Sequence, residues 1–82
     1  MPVVLRVRGF IFWFYEADLA EQPHVHVGKG GHEAKFWLNP VEISRAGRFR
    51  EIELHSVKRI IDDNLEFLLS AWAQEKSKHV NG

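Results

Sequence analysis

This sequence predicts an α+β fold: an antiparallel sheet of two hairpins with one long C-terminal amphipathic helix packed on one face. Three observations carry that prediction. Short runs rich in β-branched and aromatic residues fill the first half, separated by glycine-containing turns. Within them, His24-Val25-His26-Val27 alternates with period two. After residue 50, Val57, Ile60, Ile61, Leu65, Leu68, Leu69 and Trp72 recur at helical spacing, with Leu54 extending the stripe backwards.

The elements follow in order. Val3 to Val7 reads as a strand, Arg8-Gly9 as a tight turn, and Phe10 to Tyr15 as the returning strand. Closing that hairpin pairs Val7 with Phe10, Leu5 with Phe12 and Val3 with Phe14, all apolar and on one face. Glu16 to Pro23 is polar and acidic and reads as a loop. A second hairpin closes on Gly30-Gly31, setting His24 opposite Trp37, Val25 opposite Phe36, His26 opposite Lys35 and Val27 opposite Ala34. A one-residue slip would mix the apolar and polar residues, which favours this register. Asn39-Pro40 ends the hairpin. Val41-Glu42-Ile43 forms either a short edge strand or an extended connection, so the sheet has four or five strands over residues 3–43.

Ser44 to Arg50 is a linker carrying Arg45, Arg48 and Arg50, read as solvated. The helix spans about residues 51–75, with Glu51 and Glu53 at its positive end and Lys76 and Lys78 at its negative end. Asp62-Asp63-Asn64 is its weakest stretch, where a bend or break is expected to fall if there is one. Residues 77–82 are expected to fray.

Size and composition narrow the function classes. The sequence has 82 residues, which allows one domain, 1–82. It has no cysteine, which rules out disulfides, thiolate metal clusters and cysteine nucleophiles. Lys plus Arg and Asp plus Glu number 11 each, which speaks against a generic polyanion binder but not against a local basic face. The longest apolar run, Phe10 to Tyr15, falls far short of the roughly 20 residues that span a bilayer. No membrane association is expected, and the expected location is cytoplasmic. The glycines at 28, 30 and 31 match no phosphate-loop or dinucleotide fingerprint, since no helix follows them.

The most informative feature is the sheet face turned away from the helix. It carries Arg6, Trp13, Tyr15, His24, His26, Lys35 and Trp37, aromatic and cationic where a solvated face is usually Thr, Lys, Glu and Ser. One reading is a nucleic-acid platform, with Trp13, Tyr15 and Trp37 stacking bases and Arg6, Lys35 and the linker arginines Arg45, Arg48 and Arg50 neutralising phosphate. A second is metal-free ribonuclease chemistry. There His24 and His26, their Cα atoms about 6.6–7 Å apart by strand rise, act as base and acid while Lys35 stabilises the phosphorane. A third is a metal held by His24 and His26 with His32 or Glu33 nearby, weakened by the Lys35 cation opposite His26. Against these stands a purely structural role, in which the same aromatics form a homodimer or partner interface. His55 sits beside the apolar stripe and reads as a boundary residue.

The strings Phe12-Trp13-Phe14-Tyr15, Gln22-Pro23-His24-Val25-His26-Val27, Glu33 through Val41 and Leu68-Leu69-Ser70-Ala71-Trp72 bear a resemblance. Over about residues 2–76 the chain resembles a family of short bacterial proteins filed as a domain of unknown function. That family's core reads Pro-Pro-His-Val-His-Val, then Ala-Lys-Phe-Trp-Leu, then a late Leu-Leu-x-x-Trp. The resemblance implies a small protein encoded beside a second small protein in toxin–antitoxin-like pairs, and it carries a motif onto His24, His26, Lys35 and Trp37. Two positions depart from the family pattern. Gln22 replaces its first proline, and Arg50 stands where a helix cap is usual.

The expectation that follows is a toxin–antitoxin-like protein that binds RNA or DNA through Arg6, Trp13, Tyr15 and Trp37. His24, His26 and Lys35 supply cleavage without metal or other cofactor. The alternative is a non-enzymatic interaction or regulatory module, as a homodimer or with the neighbouring protein.

Overall fold

The computed structural model describes the backbone of residues 3–80 and the side chains of residues 3–78. Five strands form one antiparallel sheet in chain order: β1 (Val3–Val7), β2 (Phe10–Trp13), β3 (His24–Lys29), β4 (His32–Leu38) and β5 (Val41–Arg45). Two helices follow, α1 (Glu51–Asp63) and α2 (Leu65–Val80).

The central hairpin has the register that its hydrophobic pattern demands. His24 faces Trp37, Val25 faces Phe36, His26 faces Lys35 and Val27 faces Ala34. The first hairpin agrees at Val7–Phe10 and Leu5–Phe12, then departs. A register shift between Val3 and Leu5 sets Val3 opposite Trp13 rather than Phe14, because β2 ends at Trp13 and Phe14 leaves the sheet to enter the core. Its turn places Arg8 at φ 53° and Gly9 at φ 85°, the pair of left-handed residues that a two-residue hairpin turn requires.

The apolar face of the sheet and the two helices enclose one core. Phe12, Val25, Val27, Phe36 and Leu38 meet Leu54, Val57, Ile60, Ile61 and Leu68 there. Each such side chain contributes roughly 1.5–3 kcal/mol by leaving water.

The single long helix expected from the apolar stripe is instead two. Asn64 (φ −121°, ψ 19°) interrupts it. Its side-chain amide donates to the Ile60 carbonyl at 2.8 Å, and its backbone N–H is shared between the Ile60 and Ile61 carbonyls at 3.1 Å each, so the Ile61 carbonyl that Leu65 would use in a continuing helix is already engaged. Asp62 and Asp63 also lie at the negative end of α1, where acids are unfavourable and the last turn holds no basic residue, although Lys58 pairs with Asp62 at 3.0 Å from one turn earlier. The apolar stripe continues across the break because burial, not helix continuity, sets its period. At the other end of α1, Arg50 offers no capping oxygen, and Glu53 accepts from the Arg50 backbone N–H at 2.9 Å instead. The second helix continues to Val80, past the expected end near residue 75, so the part of the expected frayed tail within 77–80 is helical. Residues 81 and 82 lie outside the described part.

The acidic segment after β2 is also more regular than a loop. Glu16–Ala20 forms a 3-10 helix. Leu19, its one large apolar residue, is buried in the core and fixes the segment against the rest of the molecule.

Candidate functional site

Period-two alternation on β3 turns His24 and His26 to the same side, opposite to Val25 and Val27. Both imidazoles are buried, His24 at 0% and His26 at 5% exposure. The 3-10 helix lies over them. Because Leu19 is anchored in the core, Asp18 next to it points back at both rings. One carboxylate oxygen, Asp18 Oδ2, lies 3.0 Å from His24 Nε2 and 2.8 Å from His26 Nε2.

Of the remaining ring nitrogens, only that of His24 is hydrogen-bonded. His24 Nδ1 donates to the Gln22 carbonyl at 2.9 Å. His26 Nδ1 lies 3.2 Å from Glu33 Oε2, close enough for an ion pair though outside hydrogen-bond alignment. Aromatic walls complete the enclosure. Trp13 stacks on His26 at 6.1 Å and 19°, Tyr15 meets it edge-on at 4.5 Å, and Trp37 and Trp72 flank His24 at 5.5 and 5.1 Å. Burial pushes the Asp18 carboxyl up, but the hydrogen bonds and charge of the two histidines outweigh that and leave it below the ordinary aspartate value.

The structure brings together most of the residues that the sequence singled out, but as an enclosed cluster. Trp13, His24 and His26 are buried, while Tyr15, Lys35 and Trp37 are half-buried. The Lys35 ammonium sits 4.5 Å above the Trp37 ring and 3.6 Å from Glu21. Arg6 is exposed on β1, opposite Ile11. The face is less cationic than its basic residues suggest, because Asp18, Glu21 and Glu33 all reach it and Glu33 also pairs with Arg45 at 3.6 Å. His32 lies apart from the cluster, beside Phe49. A surface groove of about 360 Å³ runs past Trp13, Gly28, His32 and Glu33, yet His24, His26 and Asp18 do not line it.

Sequence reasoning missed Asp18. Nothing periodic links it to His24 and His26, and its position depends on a 3-10 turn. The available signal was Leu19, a lone large apolar residue in an acidic loop.

A second feature lies at the far end of β3. The β1–β2 turn approaches the first turns of α1, and two adjoining grooves of about 290 and 310 Å³ open between them. Arg8, Lys29, Arg50 and Arg59 line them, against Glu53 as the only acid. Arg50 pairs with Glu53 at 3.6 Å, and Lys29 lies over the Phe10 ring at 4.6 Å. No ion pair among the described residues engages Arg8 or Arg59. No helix among the described residues is long and apolar enough to cross a membrane.

Residues 9–73 match the family described as Domain of unknown function (DUF4160), and the chain belongs to that family. No curated protein and no solved structure matches it.

Proposed function

We propose that the chain is a nucleic-acid-binding protein that grips the phosphate backbone along the groove between the β1–β2 turn and α1. One observation carries this reading: Arg8, Lys29, Arg50 and Arg59 converge there against a single acid. Phosphate contacts supply most of the affinity of such proteins and need arginine and lysine in a row, with no base-specific motif. A neutral chain with one cationic groove meets that need. Ile52, 68% exposed in the same groove, adds an apolar surface for a sugar or base.

In this reading the histidine face serves another purpose. Metal-free ribonuclease chemistry needs both imidazoles in contact with substrate. His24 is fully buried and both its ring nitrogens are held. Stacking on Trp13 and Trp37 would have to displace His26 and Lys35 from their ring faces. We therefore favour binding without cleavage by His24, His26 and Lys35. Membership of a toxin–antitoxin-like pair with a second small protein rests on the family resemblance. Its test is regulated expression with and without the neighbouring gene: growth arrest relieved by the neighbour supports it, and unaffected growth in both arms speaks against it.

Fluorescence anisotropy with labelled single-stranded RNA and duplex DNA, over a series of salt concentrations, tests the groove. Wild type should bind with a steep salt dependence. The Arg8→Ala/Arg59→Ala variant should bind weakly, its slope against log salt reduced by about 2. Absence of binding at low salt, or equal binding by that variant, refutes the reading.

A second reading, a partner-binding module, is favoured by the open edges of the sheet. Val3 on β1 and Ile43 on β5 are 39% and 47% exposed on edge strands that a further strand can extend. Sedimentation distinguishes it: a monomer at all concentrations that copurifies with no partner removes this reading.

A further inference from the structure

We propose that Asp18, His24 and His26 form a binding site for a divalent transition-metal ion, tying the 3-10 helix to β3. This goes beyond the nucleic-acid reading and does not depend on it.

The donor chemistry points there first. Two imidazole nitrogens and one carboxylate oxygen are a donor set that zinc and neighbouring first-row ions accept. The three atoms all lie within 4.8 Å of one another. Bonds of about 2.0–2.1 Å around one ion put tetrahedral ligand atoms roughly 3.3 Å apart. The shared Asp18 oxygen, at 2.8 and 3.0 Å from the two nitrogens, is close to that spacing.

The second observation is how the two imidazoles are held. The contact of His24 Nδ1 with the Gln22 carbonyl at 2.9 Å turns the other ring nitrogen, Nε2, to the Asp18 oxygen at 3.0 Å. Both rings are enclosed, at 0% and 5% exposure, so two buried nitrogens and one carboxylate oxygen converge in a space shielded from solvent. A metal ion held there joins the 3-10 helix to β3. It also accounts for the outer contacts, because a metal-bound histidine commonly turns its other nitrogen to a carbonyl or carboxylate. His24 turns Nδ1 to the Gln22 carbonyl, and His26 turns Nδ1 to Glu33 at 3.2 Å.

This set differs from the one that the sequence suggested. His32 takes no part, Glu33 stands behind His26 as an outer partner, and Asp18 supplies the third donor. The Lys35 cation that argued against a metal is paired with Glu21 at 3.6 Å and lies over the Trp37 ring.

The test uses the 82-residue chain, dialysed against chelator and titrated with Zn2+ by calorimetry. One ion should bind per chain and raise the melting temperature, and chelator should reverse the rise. Asp18→Asn and His26→Gln should each weaken binding at least tenfold, while His32→Ala and His55→Ala leave it unchanged. Co2+ absorption of wild type gives a readout independent of whether the variants fold. Intense four-coordinate d–d bands that saturate at one equivalent support the site. No binding to wild type, weak six-coordinate absorption, or Asp18→Asn and His26→Gln binding as tightly as wild type would overturn it.

Discussion

The two ends of β3 differ in what they leave unpaired. At its start, His24 and His26 are buried, stacked against aromatics and bound to a carboxylate, so their polar atoms are held within the molecule. At its end, about 17 Å away by strand rise, Lys29, Arg8 and Arg59 line two adjoining open grooves. An enclosed polar cluster has room for a proton or a single ion, whereas an open row of cations suits a large polyanion. The sequence suggested one surface doing both jobs. In the structure the histidine cluster and the open basic groove lie on different parts of the molecule.

The largest expected effect attacks the support of the histidine end. Gly47 has φ 63°, and the space a Cβ would need is taken by the Glu33 carbonyl. Gly47→Ala should therefore cost about 3 kcal/mol or more in urea unfolding and displace Glu33 from His26. Next, Asp18→Ala leaves two buried imidazoles without their shared acceptor. It should lose about 2 kcal/mol in chelator-treated protein while nucleic-acid affinity is unchanged. Equal loss of both properties would mean that the two ends are one site.

Gly28→Ala is smaller in effect. Its methyl would come 2.8 Å from Trp13 Cη2, so the indole must tilt off His26 at a cost of about 1–2 kcal/mol, visible as altered near-ultraviolet circular dichroism. At the groove end, Arg8→Ala/Arg59→Ala should change stability by less than about 0.5 kcal/mol despite its effect on binding, because neither side chain packs in the core.

The smallest effect concerns pH. The backbone N–H of Arg50 is the main reason that the Glu53 carboxyl lies below its ordinary value. A depressed folded value means that its stabilisation is complete above the ordinary glutamate range and is lost as pH falls through the depressed value. Glu53→Gln should therefore flatten the acid limb of the stability curve, lowering stability slightly at neutral pH and leaving it unchanged below the depressed value.

Where local chemistry decides, the sequence was legible. Val25, Val27, Ala34 and Phe36 can be buried together in one register only, so the central hairpin and the shared face of His24 and His26 follow from alternation alone. The helical stripe gave the core residues of α1 and α2, but a stripe carries no information on backbone continuity, and the Asn64 side chain ended the first helix. The site was half legible. The histidines were on the page, but Asp18 reached them through a turn fixed by Leu19, and a turn of that kind leaves no periodic trace. The basic groove was harder still. Arg8 and Arg59 are 51 positions apart in sequence and meet only when the first turn packs against α1.

Titrating isotope-labelled wild-type protein with a single-stranded RNA oligonucleotide, and following backbone amides and imidazole nitrogens together, tests most directly whether the two ends of β3 are separate. The account predicts that signals of Arg8, Lys29, Ser56 and Arg59 move while the imidazole nitrogens of His24 and His26 stay in place. Shifts centred on His24, His26 and Trp37, with the β1–β2 turn unmoved, would contradict it.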